Sequence, residues 1–191
     1  MDKKIKYLST ILFDYFVINQ RYYAIQRLGD YEAKKQFINS VTIERMLNTK
    51  DSFLCYQEDF NKIKWICFDF DINKEVRNQE NFDEIESSLY IELINEISKL
   101  TNLLYEKKIN YLVEYSGNRG IHIWILFDNK LTRQEGAIIF EKILLESNLF
   151  LDIKKFSLDK YPKSRNSSNK TDKGTGVKIP LSFNIWAILV T

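Results

Sequence analysis

Apolar positions follow two rhythms along this chain, and the switches between them outline its elements. Ile5, Leu8, Ile11, Leu12, Tyr15 and Phe16 recur at helical spacing and predict one face of a first helix. The lysines and apolar run of MDKKIKYLSTILFDYF imitate a secretion signal, but Asp14 interrupts the run and no small-residue cleavage site follows. QRYYAIQRLGDYEAKKQFI then mixes aromatics and charges without a period, and no element is assigned there. KIKWICFDFDI, Lys62 to Ile72, is rich in strand formers and reads as a buried strand. From an N-x-x-E cap at Asn81 and Glu84, the positions Ile85, Leu89, Leu93, Ile97, Leu100 and Leu104 predict a long amphipathic helix ending near Lys108. YLVEY and IHIWILF read as strands joined by the turn SGNRG. Thr132 and Glu135 form a second capping-box pattern ahead of the helix GAIIFEKILLES. A short strand near IKKFSLD, a polar loop and two strands in GVKIPLSF and IWAILV complete the expected order, with no internal repeat.

Composition narrows the class. The 191 residues suit one globular unit, and 45% hydrophobic with 14% aromatic content excludes disordered and low-complexity chains. No segment approaches the roughly 18 to 20 apolar residues that span a bilayer, so the reading is a soluble, cytoplasmic protein with no membrane partner. Net charge is only +2, so a nucleic-acid partner would need a local concentration of bases. The loop Lys160 to Gly176 has one, with five Lys or Arg against one Asp. It fits a solvated connection or an arm that touches a polyanion. Cys55 and Cys67 are too few for a zinc site with the single histidine far away in sequence, and no zinc is expected.

Candidate chemistry begins on the strand at Lys62 to Ile72. Side chains alternate across a strand, so Asp69 and Asp71 share a face with about 6.6 Å between their attachment points, while Ile66, Phe68 and Phe70 make the opposite, core-facing side. Two such carboxylates can grip hard cations in a two-metal site; equally, a strand can end at the surface with both acids in water. The same parity after the SGNRG turn puts Ile121, Ile123, Ile125 and Phe127 on one face and His122 with Trp124 on the other, so His122 is not a core residue by pattern. If the two strands are neighbours, His122 faces the acids. Ser116, the close glycines and Arg119 make a compact set of anion donors suited to a phosphate chain, although a plain hairpin would account for the glycines alone.

EYSGNRGIHIWI resembles the second motif of the archaeo-eukaryotic primase superfamily, where a serine-glycine turn, an arginine and a histidine bind the incoming triphosphate. WICFDFD looks like the first motif, a metal-binding D-x-D at the end of an apolar strand, and FSLDKYP supplies the third-motif acid, Asp159. GVKIPLSF resembles the short strand whose lysine, here Lys178, contacts phosphate. The motifs run from about Lys62 to Phe183, and INQRYYAIQ with FSLDKYP...GTGVKIPL looks most like the compact primase-polymerases of conflict systems and CRISPR-associated operons. Asn118 departs from the pair of basic residues usual in the replicative enzymes' turn, and no zinc-binding module is visible.

The resemblance implies an α+β fold, an RNA-recognition-like antiparallel or mixed sheet backed by helices, with an N-terminal α/β unit over residues 1–60 and the catalytic unit over 61–191. It implies a DNA primase-polymerase, a nucleotidyltransferase that starts and extends primers on a single-stranded DNA template from NTP or dNTP. Asp69, Asp71 and Asp159 would hold two Mg²⁺ or Mn²⁺ ions; Ser116, Gly117, Arg119, Gly120, His122 and Lys178 would hold the nucleotide. Arg21 and the loop lysines are further candidates for template or primer phosphates. The chain reads as part of a longer protein, with helicase, nuclease or integrase domains or CRISPR adaptation proteins as companions. Two other readings are an inactive, primase-derived nucleic-acid-binding module and a haloacid-dehalogenase-like phosphatase. The phosphatase motif needs Thr or Val where Asn73 stands.

Overall fold

The computed structural model describes residues 3–27, 30–49, 52–116, 120–163, 174–181 and 189–190. In chain order, α1 (Lys3–Phe16) leads to β1 (Tyr23–Arg27), β2 (Asp30–Lys34), α2 (Ser40–Thr49) and β3 (Phe53–Tyr56). The second half contains β4 (Lys62–Ile72), a single helical turn α3 (Lys74–Arg77), the long α4 (Phe82–Glu106), β5 (Leu112–Tyr115) and β6 (Gly120–Thr132). It continues with α5 (Arg133–Glu146), β7 (Phe156–Tyr161), β8 (Gly176–Lys178) and β9 (Leu189–Val190). These strands form two sheets, in the orders β2-β1-β3-β8 and β7-β4-β6-β5-β9. Every pairing among the described strands is antiparallel, and the fold is α+β as expected.

The unassigned stretch after α1 is the β1–β2 hairpin. Tyr23, Ala24 and Ile25 are buried in succession, so both faces of β1 are covered and the alternation that marks a half-exposed strand is missing. The cap at α4 also differs from expectation. Asn81 is the N-cap residue, but its backbone is not extended (φ −97°, ψ 18°) and its side chain makes no capping bond; an N-cap side chain reaches the first turn from β-region geometry. Thr132, at φ −72° and ψ 154°, has that geometry and forms the full capping box with Glu135.

Two cores lie on opposite faces of β4 and β6. On one face Ile66, Phe68, Phe70 and Ile72 of β4 with Ile121, Ile123 and Ile125 of β6 pack under Leu89, Leu93, Ile97, Leu100 and Leu104 of α4 and Phe140 and Ile143 of α5. The helical repeat of α4 and the two-residue repeat of the strands thus meet along one apolar seam. On the other face Trp65, Cys67, Trp124 and Tyr161 join a second core with α1, α2 and the four-stranded sheet. Trp65 and Trp124 meet edge to face at 4.9 Å, and Phe16 closes on Trp124 at 5.2 Å. Trp65 Nε1 donates to the Phe16 carbonyl at 2.9 Å, and Lys64 Nζ to the carbonyls of Asp14 and Val17, so β4 satisfies carbonyls that α1 leaves open at its C-terminus. Cys55 and Cys67 are buried in this second core, where burial pushes the Cys55 thiol up to about 12.

The sheets interleave across residue 60. β8 pairs with β3, with Leu54 opposite Lys178 and Cys55 opposite Val177. Val177 is buried in the second core, which accounts for so short a strand docking there.

The Phe68 and Phe140 rings stack with centroids 3.9 Å apart, joining α5 to β4. Phe140→Ala is expected to lower unfolding free energy by about 3–5 kcal/mol in denaturant titrations. The same truncation at the exposed Ile138 should change it by less than about 0.5 kcal/mol.

Candidate active site

The outer end of β4 is where the cover of the second core stops. Trp65 and Cys67 point into that core, and Asp69 and Asp71 continue the same face by strand parity. Register then assembles a row. Asp69 stands opposite Asp159 of β7 on one side and opposite His122 of β6 on the other, and His122 stands opposite Glu114 of β5. Across four strands the order is Asp159, Asp69, His122, Glu114. The side chains become more buried in that direction, from 57% exposed at Asp159 through 15% at Asp69 and 6% at His122 to 1% at Glu114.

His122 is therefore on the face that parity assigns, but it is buried. That opposite face is no solvent face, because the second core and Trp124 cover its neighbourhood, with the Trp124 ring edge-to-face at 5.7 Å. The imidazole bridges two carboxylates, with Nε2 3.2 Å from Asp69 Oδ1 and Nδ1 3.1 Å from Glu114 Oε2. Burial alone would push its pKa down, but the flanking Asp69 and Glu114 outweigh it and raise it to about 9. A carboxylate only accepts, so Nδ1 donates to Glu114, while Nε2 meets Asp69 Oδ1 as a close contact without hydrogen-bond alignment.

Glu114 was not singled out by the sequence reading. Its Oε2 also accepts from Trp124 Nε1 at 3.2 Å. The signal available was parity: Leu112 and Glu114 share a face of β5, Leu112 packs against the second core, and an acid in that phase needs a buried partner.

The second acid lies against a glycine. Asp71 pairs with Gly120, and a Cβ built on Gly120 would come 2.1 Å from the Phe70 carbonyl oxygen and 2.4 Å from Asp71 Oδ1. Only a residue without a side chain admits this approach. Gly120 and Ser116 close the hairpin: Ser116 N donates to the Gly120 carbonyl at 2.8 Å, and Gly120 N donates to Ser116 Oγ at 3.1 Å. Gly117, Asn118 and Arg119 lie outside the described residues. Lys178 reaches across from β8 and donates to the Ser116 carbonyl, bringing an ammonium of the first sheet to the turn of the second. Burial pushes that ammonium's pKa down, against the pull of Glu114 and Asp69.

Asp159 Oδ2 accepts from Lys163 Nζ at 2.8 Å. Among the described residues no three His, Cys, Asp or Glu side chains are arranged to hold a metal ion as they stand. Asp69, Asp71 and Asp159 nevertheless issue from one patch of one face, so they are the side chains that could turn toward a cation. Asp69 Oδ1 is a buried oxygen with no aligned hydrogen-bond donor among the described residues. A cation shared with Asp159 would require Asp159 to leave Lys163. Of the other candidates, Arg21 pairs with Asp59 at 2.7 Å and stacks over the exposed Phe60 ring at 4.4 Å, and residues 164–173 of the basic loop lie outside the described residues. No described helix is long and apolar enough to cross a membrane.

An antiparallel α+β scaffold thus carries acids on paired strands beside the hairpin that Ser116 and Gly120 close. Residues 17–186 match the family described as "TOTE conflict system, Archaeo-Eukaryotic Primase domain", and the chain belongs to that family. Among solved structures, the polymerase domain from Mycobacterium tuberculosis Ligase D in complex with DNA shares the fold, with a TM-score of 0.51 and 8% identity over 97% of this chain and 71% of that one. Comparison with curated proteins gives no match. Membership of that family supports a nucleotidyltransferase-type function.

Gly120→Ala must displace the Phe70 carbonyl and the Asp71 side chain from β6. The expected outcome is a loss of about 1–3 kcal/mol in unfolding free energy, read by denaturant titration. A stability equal to wild type would show that the two strands separate easily here.

Proposed function

We propose that this chain is the catalytic core of a DNA-dependent primase-polymerase, transferring nucleotides from NTP or dNTP onto a primer strand paired to single-stranded DNA. The observation that carries the reading is the cross-strand row, with Asp69 directly between Asp159 and His122 and with Asp71 two residues on. Membership of the primase family supports it and displaces the phosphatase reading. The fold shared with a polymerase domain solved with DNA supports a nucleic-acid partner.

In this reading Asp69, Asp71 and Asp159 would hold two divalent cations, Mg²⁺ or Mn²⁺, which would supply neutralisation of phosphate charge and a lowered pKa for the attacking 3′-hydroxyl. The chain's own residues do the rest by positioning and electrostatics, which dominate phosphate chemistry of this type. His122 presents Nε2, and Lys178 its ammonium, toward the triphosphate. Ser116, Gly117, Arg119 and Gly120 form the turn that receives it. For His122 to donate to phosphate, Asp69 must first release Nε2, and for Asp159 to join the site, Lys163 must turn away. Lys163 is then a free cation beside the site, suited to a nucleic-acid phosphate. Helicase or nuclease domains and CRISPR adaptation proteins remain the proposed companions.

A second reading has one observation in its favour. The Lys163–Asp159 pair neutralises the third acid, as a module that binds nucleic acid without chemistry would permit. One assay separates the two, using primed and unprimed single-stranded DNA with Mg²⁺ or Mn²⁺ and either ribo- or deoxyribonucleotides. The catalytic reading expects template-directed products that disappear, by at least about 100-fold, when Asp69→Ala and Asp71→Ala are combined. DNA binding without product under every combination would establish the inactive module instead. His122→Ala is expected to raise KM for the nucleotide while leaving template affinity near wild type, as measured by anisotropy; equal loss of both would assign His122 a folding role.

A further inference from the structure

Glu114 is a buried carboxylate with a surplus. One oxygen, Oε2, accepts from His122 Nδ1 and Trp124 Nε1, and the other, Oε1, has no hydrogen-bond partner among the described residues. Burying a carboxylate is costly unless its partners repay the desolvation. The two carboxylates flanking the imidazole are also unequal. Asp69 is partly exposed, lies beside Asp71 and Asp159, and is free to exchange partners; Glu114 is fully covered and held a second time by the indole. With Nδ1 tied to Glu114 and the Trp124 ring edge-on to the imidazole, the ring cannot flip without breaking a buried bond.

We infer that Glu114 is a positioning residue for nucleotide binding: it holds His122 through Nδ1, so that Nε2 is the ring nitrogen offered to the site when Asp69 releases it. The inference rests on the nucleotide-binding role proposed for His122. It explains a carboxylate at the buried end of the row, where no substrate reaches. It also explains why His122 keeps one orientation although it faces acids on both sides. Because only Oε2 is used, a glutamine carbonyl at this position can accept both donors.

The chain has one histidine, so a long-range ¹H–¹⁵N spectrum reports His122 without assignment. Nucleotide affinity is measured in parallel by calorimetry with dNTP or NTP and no primer or template. Glu114→Gln should keep the hydrogen-bonded Nδ1–H signal and a nucleotide Kd within about threefold of wild type. Glu114→Leu should lose that signal and weaken nucleotide binding about tenfold or more, and add nothing in a His122→Ala background, as expected of two residues acting as one unit. A folded Glu114→Leu protein with wild-type affinity, or losses that add fully to those of His122→Ala, would overturn the inference. If Glu114→Leu does not fold, Glu114→Gln still decides, because a loss well beyond threefold with the Nδ1–H signal intact contradicts positioning through the hydrogen bond. Wild-type protein that binds no nucleotide overturns the proposed function itself. Binding that falls in His122→Ala but not in Glu114→Leu overturns this inference alone.

Discussion

Everything at the site depends on the register of β4 between its two neighbours. A strand has a period of two, so a slip of one residue against β6 or β7 would send Asp69 and Asp71 into the apolar core under α4 and bring Phe68 and Phe70 to the cleft. The observed register does the opposite. It sets Asp69 against Asp159 on one side and His122 on the other, and so brings residues from positions 69, 122 and 159 into a single line. The apolar face enforces that alignment, because Ile66, Phe68, Phe70 and Ile72 can all be buried together in only one phase.

The sheet has no wholly solvated face near the site. One side rests on α4 and α5, and the other carries Trp65, Cys67, Trp124 and Tyr161 into a second core shared with α1, α2 and the first sheet. The acids lie at the seam where that second cover ends. Charge at the seam is therefore graded. Glu114 and His122 are enclosed and satisfy one another, Asp69 is partly open, and Asp159 stands at the edge strand with Lys163 on it. Lys178 and the Ser116 carbonyl link the two sheets across the same seam.

This arrangement separates the fixed from the exchangeable. The contacts of Glu114 are buried and doubled, and would require local opening to break. Those of Asp69 and Asp159 are to a histidine edge and an exposed lysine, and can be traded for a ligand. The proposed function would use both properties: a rigid second layer that aims its donors, and outer carboxylates open to the cations through which they would meet phosphates.

Local pattern was enough for the pieces that depend only on neighbouring residues. The strand at Lys62–Ile72, the long helix α4, the capping box at Thr132 and Glu135, and the faces of Asp69, Asp71 and His122 all follow from periodicity and side-chain chemistry. The motifs in WICFDFD, SGNRGIH and FSLD were sufficient to identify the family. Tertiary structure alone decided what covers each face. Periodicity says which residues share a side, whereas exposure depends on segments far away in the chain. Hence β1, covered on both faces, had no readable period; His122, correctly turned from one core, proved to lie beside another; and β8 left the C-terminal half to pair with β3. Glu114 is the sharpest case, because a lone acid on a strand reads as a surface residue until the histidine and indole that bury it are brought to its side.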